Sequence, residues 1–518
     1  MNQEQLFEPI PADKFDLLSR EDLITFAKLE QRYRVHFQRE NERLRALKDA
    51  TDQKLMLIED QYITIKSKFF GKSSEKAPTI EAAHTAAEDE EKTVGPARTP
   101  KTRVLLPSQR YPDAPLIEQE IELQQLPNCK CCGTLMSDSG MTEDAEFLTV
   151  IPAKYLVTRQ KRHKYRCGGC HGDVHTAPSP PRIKPGSAYS DEMMVDVALT
   201  KYCDLIPIER YAAIAGRGGI KNLPPQSLIE STHYLADFLK VSYEKVKAEI
   251  LSDIVLHADE TPHRMLEGDK KSNWFLWVFS SQKASYFEIH GTRSGDVASG
   301  LLKNSKCEYL VSDVFSGYAK AVRETNEYRE AENRPRVTSI YCNAHARRRF
   351  KEAAERFPEE AQFFIDRYQK IYLLESSAKA KPPDEVLGYR GQMAGYFAEM
   401  KSQAMALNAS HSSKSAIIRA TSYFLDNYRA FTRFLTDARL PIDNNQQERL
   451  LRNPVIGRKT WYGTHSKRGA ETAAVLFSLV ESCKLNRVNP RKYFKCLVAA
   501  LLQGQPAFTP HEFSNLSH

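Results

Sequence analysis

The sequence predicts a multidomain α+β protein, and three observations support that class. The chain has 518 residues, more than a single core accommodates, since domains average about 150 residues. Short apolar, β-branched runs alternate with helix-like segments between residues 252 and 358. The regions on either side have the apolar spacing of helices. These patterns predict a sheet-containing core flanked by helical regions.

The N-terminal region, 1–76, is predicted to form a long amphipathic helix or coiled coil. Apolar residues from Leu23 to Ile65 recur at spacings of three or four, and no glycine or proline interrupts them before Gly71. Such a helix either self-associates or packs on its own domain. Residues 77–104 are rich in Ala, Glu, Asp, Thr and Pro, which predicts a flexible linker.

A cysteine-containing module is predicted at 105–177. It holds two Cys-x-x-Cys pairs, Cys129 with Cys132 and Cys167 with Cys170. Four thiolates suit a closed, structural zinc site, so we expect a zinc ribbon with one ion. The two pairs are further apart than the usual ~15–20 residues, which requires a longer hairpin. Competing ligands are Cys131, His163, His171 and His175.

Residues 178–251 are predicted to be helical, with Gly216, Gly218 and Gly219 between two helices. The second helix is expected to open at Pro224 and Pro225. This order is compatible with a helix-turn-helix that contacts DNA. Many all-helical segments share it, so a purely structural role is an equal alternative.

The segment 252–358 has the element order of a ribonuclease-H-like α/β core. Three consecutive strands (IVLHAD, NWFLWVFSS and ASYFEIH) are followed by a helix, the strand CEYLVSD, a helix, the strand VTSIYCN and a helix. Residues 359–440 are predicted to be a helical insertion. The last part of the core is expected at 441–498, followed by a C-terminal tail at 499–518.

Three acidic residues form the candidate catalytic site. Asp259 and Asp313 each follow an apolar run and are predicted to lie just past strand ends, whereas Glu448 follows an Asp-Asn-Asn helix start. Such carboxylates hold two magnesium (or manganese) ions in phosphodiester chemistry. Taken singly, each acid also fits a structural role as a turn former, an N-cap or the partner of Arg452 in a helix ion pair.

The motifs LHADETPHRML, YLVSDVFSGYAKA, YCNAHARRRF and PIDNNQQERLLRNPVIGRKTWYGTHSKRGAE resemble the large transposase of the insertion-sequence-66 family. The resemblance implies an acidic-triad (DDE) core formed by Asp259, Asp313 and Glu448. It also implies a zinc-binding module at the cysteine pairs and small accessory proteins encoded by the same element. The sequence departs from the family pattern at Asn343, at Gln446 and Gln447, and at Thr464 to Ser466.

Basic residues near the triad are predicted to contact DNA, because guanidinium groups match phosphate oxygens. They are His345, Arg347, Arg348, Arg449, Arg452, Arg458 and Lys459. The alternative is an ordinary solvated face. Cys342 and His345 offer two ligands for a further metal, which is a weak signal by itself.

Composition and charge limit the function classes. The net charge is +8, and residues 443–495 contain 11 Lys or Arg against 4 Asp or Glu, which favours a polyanionic partner. No apolar run approaches the ~20 residues that a membrane helix needs. Ten cysteines without a secretion signal favour a reducing compartment, so we expect a cytoplasmic protein.

The expected function is DNA transposition. The enzyme would hydrolyse a phosphodiester bond at the ends of its element and transfer the freed 3′ hydroxyl to target DNA. The partners are double-stranded DNA and further copies of the chain, because two element ends must be held together. The alternatives are a ribonuclease-H-like nuclease or resolvase that cuts without joining, and an inactive, zinc-containing DNA-binding regulator.

Overall fold

The structure is a computed structural model. It describes parts of 19–43 and of 106–166, and all of 174–267, 273–410 and 415–516. The predicted linker at 77–104 and most of the predicted helix at 1–76 lie outside the described residues. The described positions between 20 and 43 are helical.

The chain divides into two compact units. The larger comprises Met1–Ile80, Ser179–Tyr211 and Pro224–His518, and the smaller comprises Glu81–Pro178 and Ala212–Leu223. Among the described helices, none combines the length and the apolar character that a bilayer crossing requires.

The smaller unit contains short antiparallel pairings around the two cysteine pairs. A helical turn, α1 (Pro107–Arg110), comes first. An isolated antiparallel bridge joins Asn128 to Leu135, on either side of the first pair in the chain. Strands β1 (Lys164–Arg166) and β2 (Val174–Thr176) pair antiparallel on either side of the second. Both cysteine pairs therefore fall in segments whose ends are brought together by backbone pairing.

The rest of the chain contains five strands among many helices in the part that the structure describes. In order, they are α2 (Asp191–Tyr202), α3 (Ile208–Arg217), α4 (Pro225–Ser252), β3 (Val255–Arg264), β4 (Asn273–Ser280), β5 (Ser285–His290), α5 (Asp296–Lys303), β6 (Tyr309–Ser312), α6 (Ser316–Ala331), β7 (Thr338–Tyr341) and α7 (Asn343–Ala354). Next come α8 (Pro358–Ala378), α9 (Pro383–Ser410), α10 (Ala416–Asp426), α11 (Tyr428–Thr432), a 3₁₀ turn (Arg433–Thr436), α12 (Asn445–Trp461), α13 (Lys467–Leu485), α14 (Pro490–Leu502) and α15 (Pro510–Leu516).

A five-stranded mixed sheet organises the larger unit. The strand order is β5-β4-β3-β6-β7. The first three strands in the chain pair antiparallel as a meander. β6 then pairs parallel with β3, and β7 parallel with β6. The α+β class and the predicted succession of strands and helices are confirmed, as is the helical character of 359–440.

Helices from both ends of the unit pack against the sheet in one buried cluster. Met194 of α2, Leu235 and Leu239 of α4, and Leu476 of α13 share a buried cluster with Trp277 and Phe287 of the sheet. α4 begins at the predicted prolines but buries a stripe along its whole length. Because this stripe completes the sheet's core, α4 has a structural role, and its contact with DNA stays a prediction.

A second buried cluster joins the helical insertion to β6 and β7. Val311 of β6 and Ile340 of β7 pack with Phe350 of α7, and the same cluster continues through Phe364, Phe397 and Phe424 of the insertion. Phe350 and Phe364 stack with ring centroids 4.1 Å apart. The insertion therefore supports the strands β6 and β7 from one side.

A buried arginine fixes the approach to β6. Arg329 of α6 has 1% of its surface exposed. Its guanidinium donates to the carbonyls of Leu302 and Ser305 at the end of α5, and to that of Cys307 before β6, at 2.6–2.8 Å. The carbonyls of Leu302 and Ser305 also accept from Ser305 and Arg334, so Arg329 adds buried, charge-assisted hydrogen bonds that join several backbone segments. Arg329 thus holds the strand that leads to Asp313.

Replacing Arg329 should destabilise the larger unit. Arg329→Met keeps most of the side-chain volume but removes the buried, charge-assisted hydrogen bonds of the guanidinium, so we expect the free energy of unfolding to fall by about 3 kcal/mol. Urea unfolding measures it. Arg323→Met is the matched control on the same helix, where the side chain is 67% exposed, and it should change stability by less than about 0.5 kcal/mol. Similar losses in both variants would contradict the assignment.

Candidate active site

Two neighbouring strands carry Asp259 and Asp313. The parallel ladder pairs Val255 with Tyr309 and His257 with Val311, and the same register continued by two residues sets Asp259 opposite Asp313. Side chains at matching register project to one face of the sheet. The prediction that both acids lie just past strand ends was wrong for Asp259. β3 continues to Arg264 as the partner of β4, so only the pairing with β6 ends before it.

Glu448 lies in the first turn of α12, as the Asp-Asn-Asn start predicted. The N-cap residue, Asn444, does not cap its own helix with its side chain. Its side-chain carbonyl accepts from Nδ1 of the buried His257 at 2.7 Å, and its amide donates to the carbonyl of Ala258 at 3.1 Å. Both contacts are to β3 next to Asp259. Asn444 therefore brings the start of α12 to the first aspartate.

Two glutamines of α12 bind the same helix turn to the sheet. The amide of Gln447 donates to the carbonyl of Val278 on β4 at 3.0 Å, and its side-chain carbonyl accepts from the hydroxyl of Ser280. Gln446 donates to the carbonyl of Ser281 at 3.1 Å. Both residues depart from the family pattern. In this chain they complete polar contacts that orient the turn bearing Glu448.

The far end of α12 is also fixed to β3. Gly463 has φ +107°, and a Cβ atom there would lie 2.3 Å from the carbonyl oxygen of Arg264, so only glycine fits. The next residue, Thr464, donates its amide to Arg264 at 3.0 Å and accepts from the amide of Leu266 at 2.9 Å. α12 is consequently held on β3 at both ends.

The acidic residues repel one another electrostatically. Burial raises the pKa of Asp259 well above its ordinary value, and the charges of Glu260, Asp313 and Glu448 raise it further. Burial raises the pKa of Asp313 to about 6, with contributions from Glu260 and Glu448 and an opposing one from Arg293. The charge of Glu448 thus acts on both aspartates, and a bound cation would relieve this repulsion.

A neighbouring acidic residue, Glu260, was not predicted as part of the site. Its side chain is 2% exposed and pairs with Arg293, whose Nη2 lies 2.6 Å from Oε1. The hydroxyl of Tyr318 donates to its other oxygen. Alternation along β3 puts Glu260 on the opposite face from Asp259. A carboxylate paired in this way is structural, and the adjacent Asp-Glu sequence gave no signal of which acid would be paired.

The segment after β7 approaches Glu448. His345 of α7 has Nε2 at 3.9 Å from Oε1 of Glu448. The ligand atoms of Cys342, His345 and Glu448 all lie within 4.8 Å of one another. Asn343 donates from its side chain to the carbonyls of Phe431 and Ile442 at 3.0 Å. This departure from the family pattern therefore ties α7 to the segment that leads into α12.

The residues predicted to contact DNA differ in how far their side chains are exposed to solvent. Arg449, Arg452 and Lys459 are exposed at helical spacing along α12 and form one stripe that starts beside Glu448. Arg458 is half-buried, and burial together with Arg264 lowers its pKa. Arg347 is buried and Arg348 half-buried. Burial disfavours Arg347 as a phosphate ligand, because contact with DNA requires an accessible guanidinium.

The predicted zinc ligands are only partly described. Cys132 is exposed, as is its neighbour Cys131. Cys129, Cys167 and Cys170 lie outside the described residues. The four-thiolate set thus stays a prediction.

A mixed sheet with acidic residues at matching register is the arrangement expected of a metal-dependent enzyme that acts on nucleic-acid backbones. Comparison with protein families agrees with this class. Residues 186–472 match the model of the transposase IS66 family, and residues 127–171 match that of the zinc-finger binding domain of transposase IS66.

The chain belongs to the IS66 family of transposases. It is therefore a DDE transposase, an enzyme of phosphodiester cleavage and strand transfer, and the family implies DNA as partner, divalent metal ions and a zinc-finger domain. Two relatives come from Sinorhizobium fredii. The uncharacterized protein y4hP is 24% identical over 410 residues, covering 74% of this chain and 72% of its own. The uncharacterized protein y4jD is 25% identical over 389 residues, covering 73% of this chain and 75% of its own.

The raised pKa of Asp313 predicts a pH-dependent stability. Its pKa is about 6 when folded and about 3.9 when unfolded, so the folded state binds the extra proton between these values. The free energy of unfolding should therefore fall as pH rises from about 4 to 6. The substitution Asp313→Asn removes the titrating carboxyl group and with it this fall in stability. The variant should be more stable than the wild type by about 1–3 kcal/mol at pH 7.5 without magnesium.

Urea unfolding at pH 7.5 and at pH 4.5 measures the difference, which should shrink at the lower pH. Magnesium should also reduce it, because a cation offsets the carboxylate repulsion. Asp384→Asn, an exposed acid of α9, is the control. An equal effect of Asp313→Asn at both pH values would contradict the electrostatic origin.

Proposed function

We propose that this transposase binds the ends of an insertion sequence, hydrolyses a phosphodiester bond at each end and transfers the resulting 3′ hydroxyl to target DNA. The observation that carries the proposal is that the register of β3 and β6 sets Asp259 opposite Asp313, and that the charge of Glu448 raises the pKa of both. An antiparallel meander followed by two parallel strands is the arrangement of a ribonuclease-H-like core, which supports the same chemistry.

The acidic cluster fits divalent cations. Oδ1 of Asp313 is buried and has no hydrogen-bond partner among the residues that the structure describes. Magnesium prefers hard carboxylate oxygens and retains several waters. We infer that Asp259, Asp313 and Glu448 would hold two magnesium or manganese ions. When bound, such ions activate the attacking oxygen and stabilise the leaving oxygen of the phosphodiester.

The protein's own residues position the reacting groups. The stripe of Arg449, Arg452 and Lys459 would hold the DNA backbone along α12 and lead it to Glu448. Asn444 and Gln447 keep the first turn of α12 against the sheet, so that Glu448 stays near the aspartates. No side-chain nucleophile is needed, because water attacks in the first step and the freed 3′ hydroxyl in the second.

The smaller unit would serve in DNA recognition. We propose that Cys129, Cys132, Cys167 and Cys170 bind one structural zinc ion, since the described pairings bring together the chain on either side of each cysteine pair. Homo-oligomers would hold two element ends together. Small accessory proteins of the same element are the further partners that the family implies.

Removing a triad carboxylate should abolish catalysis. Asp259→Asn and Glu448→Gln remove charges needed to bind cations, so we expect losses of cleavage and joining of at least about 10³-fold. The assay uses purified protein, magnesium and terminal-repeat DNA, with DNA binding measured in parallel and expected to persist. Asp384→Asn and Glu385→Gln, exposed acids of α9, are the matched controls. Wild-type rates in the triad variants would refute the catalytic assignment.

Removing the α12 stripe should weaken DNA binding without regard to sequence. Each lost phosphate contact lowers the salt slope of the binding constant by about 1, so the double substitution Arg452→Ala with Lys459→Ala should lower it by about 2. Binding isotherms over a salt series measure the slope. Arg323→Ala with Lys320→Ala on α6 makes an equal charge change away from the site. If both pairs lower the slope equally, the stripe is not the DNA path.

A further inference from the structure

A second set of metal ligands adjoins the acidic cluster and shares one member with it. Cys342 follows β7 and is fully buried, His345 lies in the first turn of α7, and Glu448 lies in the first turn of α12. One ligand atom from each lies within 4.8 Å of the other two. Within this set, His345 and Glu448 approach to 3.9 Å. A thiol, an imidazole and a carboxylate thus face one small volume.

This donor set differs in chemistry from the three carboxylates. Sulfur and imidazole nitrogen are ligands that zinc prefers, whereas magnesium selects hard oxygen donors. At zinc bond lengths of about 2.0–2.3 Å, tetrahedral ligand atoms lie about 3.4–3.6 Å apart. The ligand atoms all lie within 4.8 Å of one another, so their separations exceed these values by at most about 1.4 Å, which side-chain rotations would close.

The surroundings of Cys342 resemble those of a metal-binding thiolate. Its sulfur accepts a hydrogen bond from the backbone amide of Asn444 at 3.1 Å. Cys342 is the N-cap residue of α7, and the dipole at a helix N-terminus favours negative charge. With one thiolate instead of four, the cluster should bind zinc more weakly than a four-thiolate ribbon, which makes occupancy depend on the zinc concentration.

We propose that Cys342, His345 and Glu448 form a zinc-binding site whose occupation inhibits the enzyme. Three protein ligands and one water complete the tetrahedral coordination that zinc adopts. A Glu448 carboxylate turned toward Cys342 and His345 is withdrawn from Asp259 and Asp313. The inhibitory effect rests on the proposed catalytic role of Glu448, whereas the binding itself does not.

Direct binding can be measured with cobalt(II) as the probe, on full-length protein that already contains its ribbon zinc. Zinc outranks cobalt at thiolate sites, so the ribbon should keep its ion. We expect one additional equivalent of cobalt with a sulfur-to-metal charge-transfer band. Cys342→Ser should abolish the band, because serine keeps the hydrogen-bond acceptor for Asn444 but removes the soft ligand. Cys483→Ser, another buried thiol, is the matched control and should retain it.

A second variant keeps the test decisive if Cys342→Ser fails to fold. His345→Asn should weaken cobalt binding by at least about tenfold. A band of equal intensity in Cys342→Ser and wild type, no additional equivalent of cobalt in the wild type, or unchanged affinity in His345→Asn would overturn the proposal.

Activity provides the second readout. Zinc is titrated into the cleavage assay at fixed magnesium, and each variant is normalised to its own rate without added zinc. The zinc concentration for half-inhibition should rise at least about tenfold in Cys342→Ser, and raised magnesium should relieve inhibition in the wild type. Equal half-inhibition in both proteins would refute the inhibitory role. Active triad variants would instead refute the proposed catalytic function and leave the cobalt result to stand on its own.

Discussion

The attachment of α12 to β3 at both ends is the constraint on which the site depends. Asn444 holds the start of the helix beside Ala258, and Thr464 holds its end beside Arg264. Six strand residues span about 20 Å and a 17-residue helix about 25 Å, so the two elements match in length and run side by side. The whole helical insertion can therefore lie between β7 and α12 in the chain without displacing Glu448. What the insertion adds is a second core against β6 and β7, which stiffens the strands that end near the site.

This arrangement brings like-charged carboxylates close together, and their repulsion destabilises the folded protein. Asp259 and Asp313 stand at matching register on neighbouring strands, with Glu448 close enough to raise the pKa of both. Pairing with Arg293 and Tyr318 neutralises Glu260, whereas Oδ1 of Asp313 is left without a hydrogen-bond partner in the described part of the chain. A fold selected only for stability would pair or replace such carboxylates. Their retention together with a buried, unsatisfied oxygen is what a cation site requires before the cation binds.

The local sequence pattern predicted part of the fold and of the candidate site, but not all of it. The strand order, the position of Asp313 directly after β6 and that of Glu448 in a first helix turn followed from apolar runs and the Asp-Asn-Asn start. The extension of β3 past Asp259 did not, because Pro262 argues against a strand interior. It is tolerated there since β6 pairs with β3 only as far as His257, which leaves that side of β3 without a strand partner among the described strands. The contacts of Asn444 and Gln447 join positions far apart in the chain, and the burial of Arg347 beside the half-buried Arg348 depends on the face of α7 that meets the insertion. Neither these contacts nor this burial can be predicted from the spacing of residues in the sequence.

Glu448 belongs to two donor sets, and this dual membership has a structural cause. α7 and α12 both begin at the same edge of the sheet, and the amide of Asn444 that precedes α12 donates to the thiol that precedes α7. This hydrogen bond brings the first turns of α7 and α12 together, and His345 and Glu448 are neighbours for that reason. Any cation that reaches Glu448 therefore meets either oxygen donors from the sheet or sulfur and nitrogen donors from α7. In the proposed mechanism, the orientation of the Glu448 carboxylate would decide between hard and borderline metals, and the contact that positions α12 would also make it sensitive to the metal that is bound.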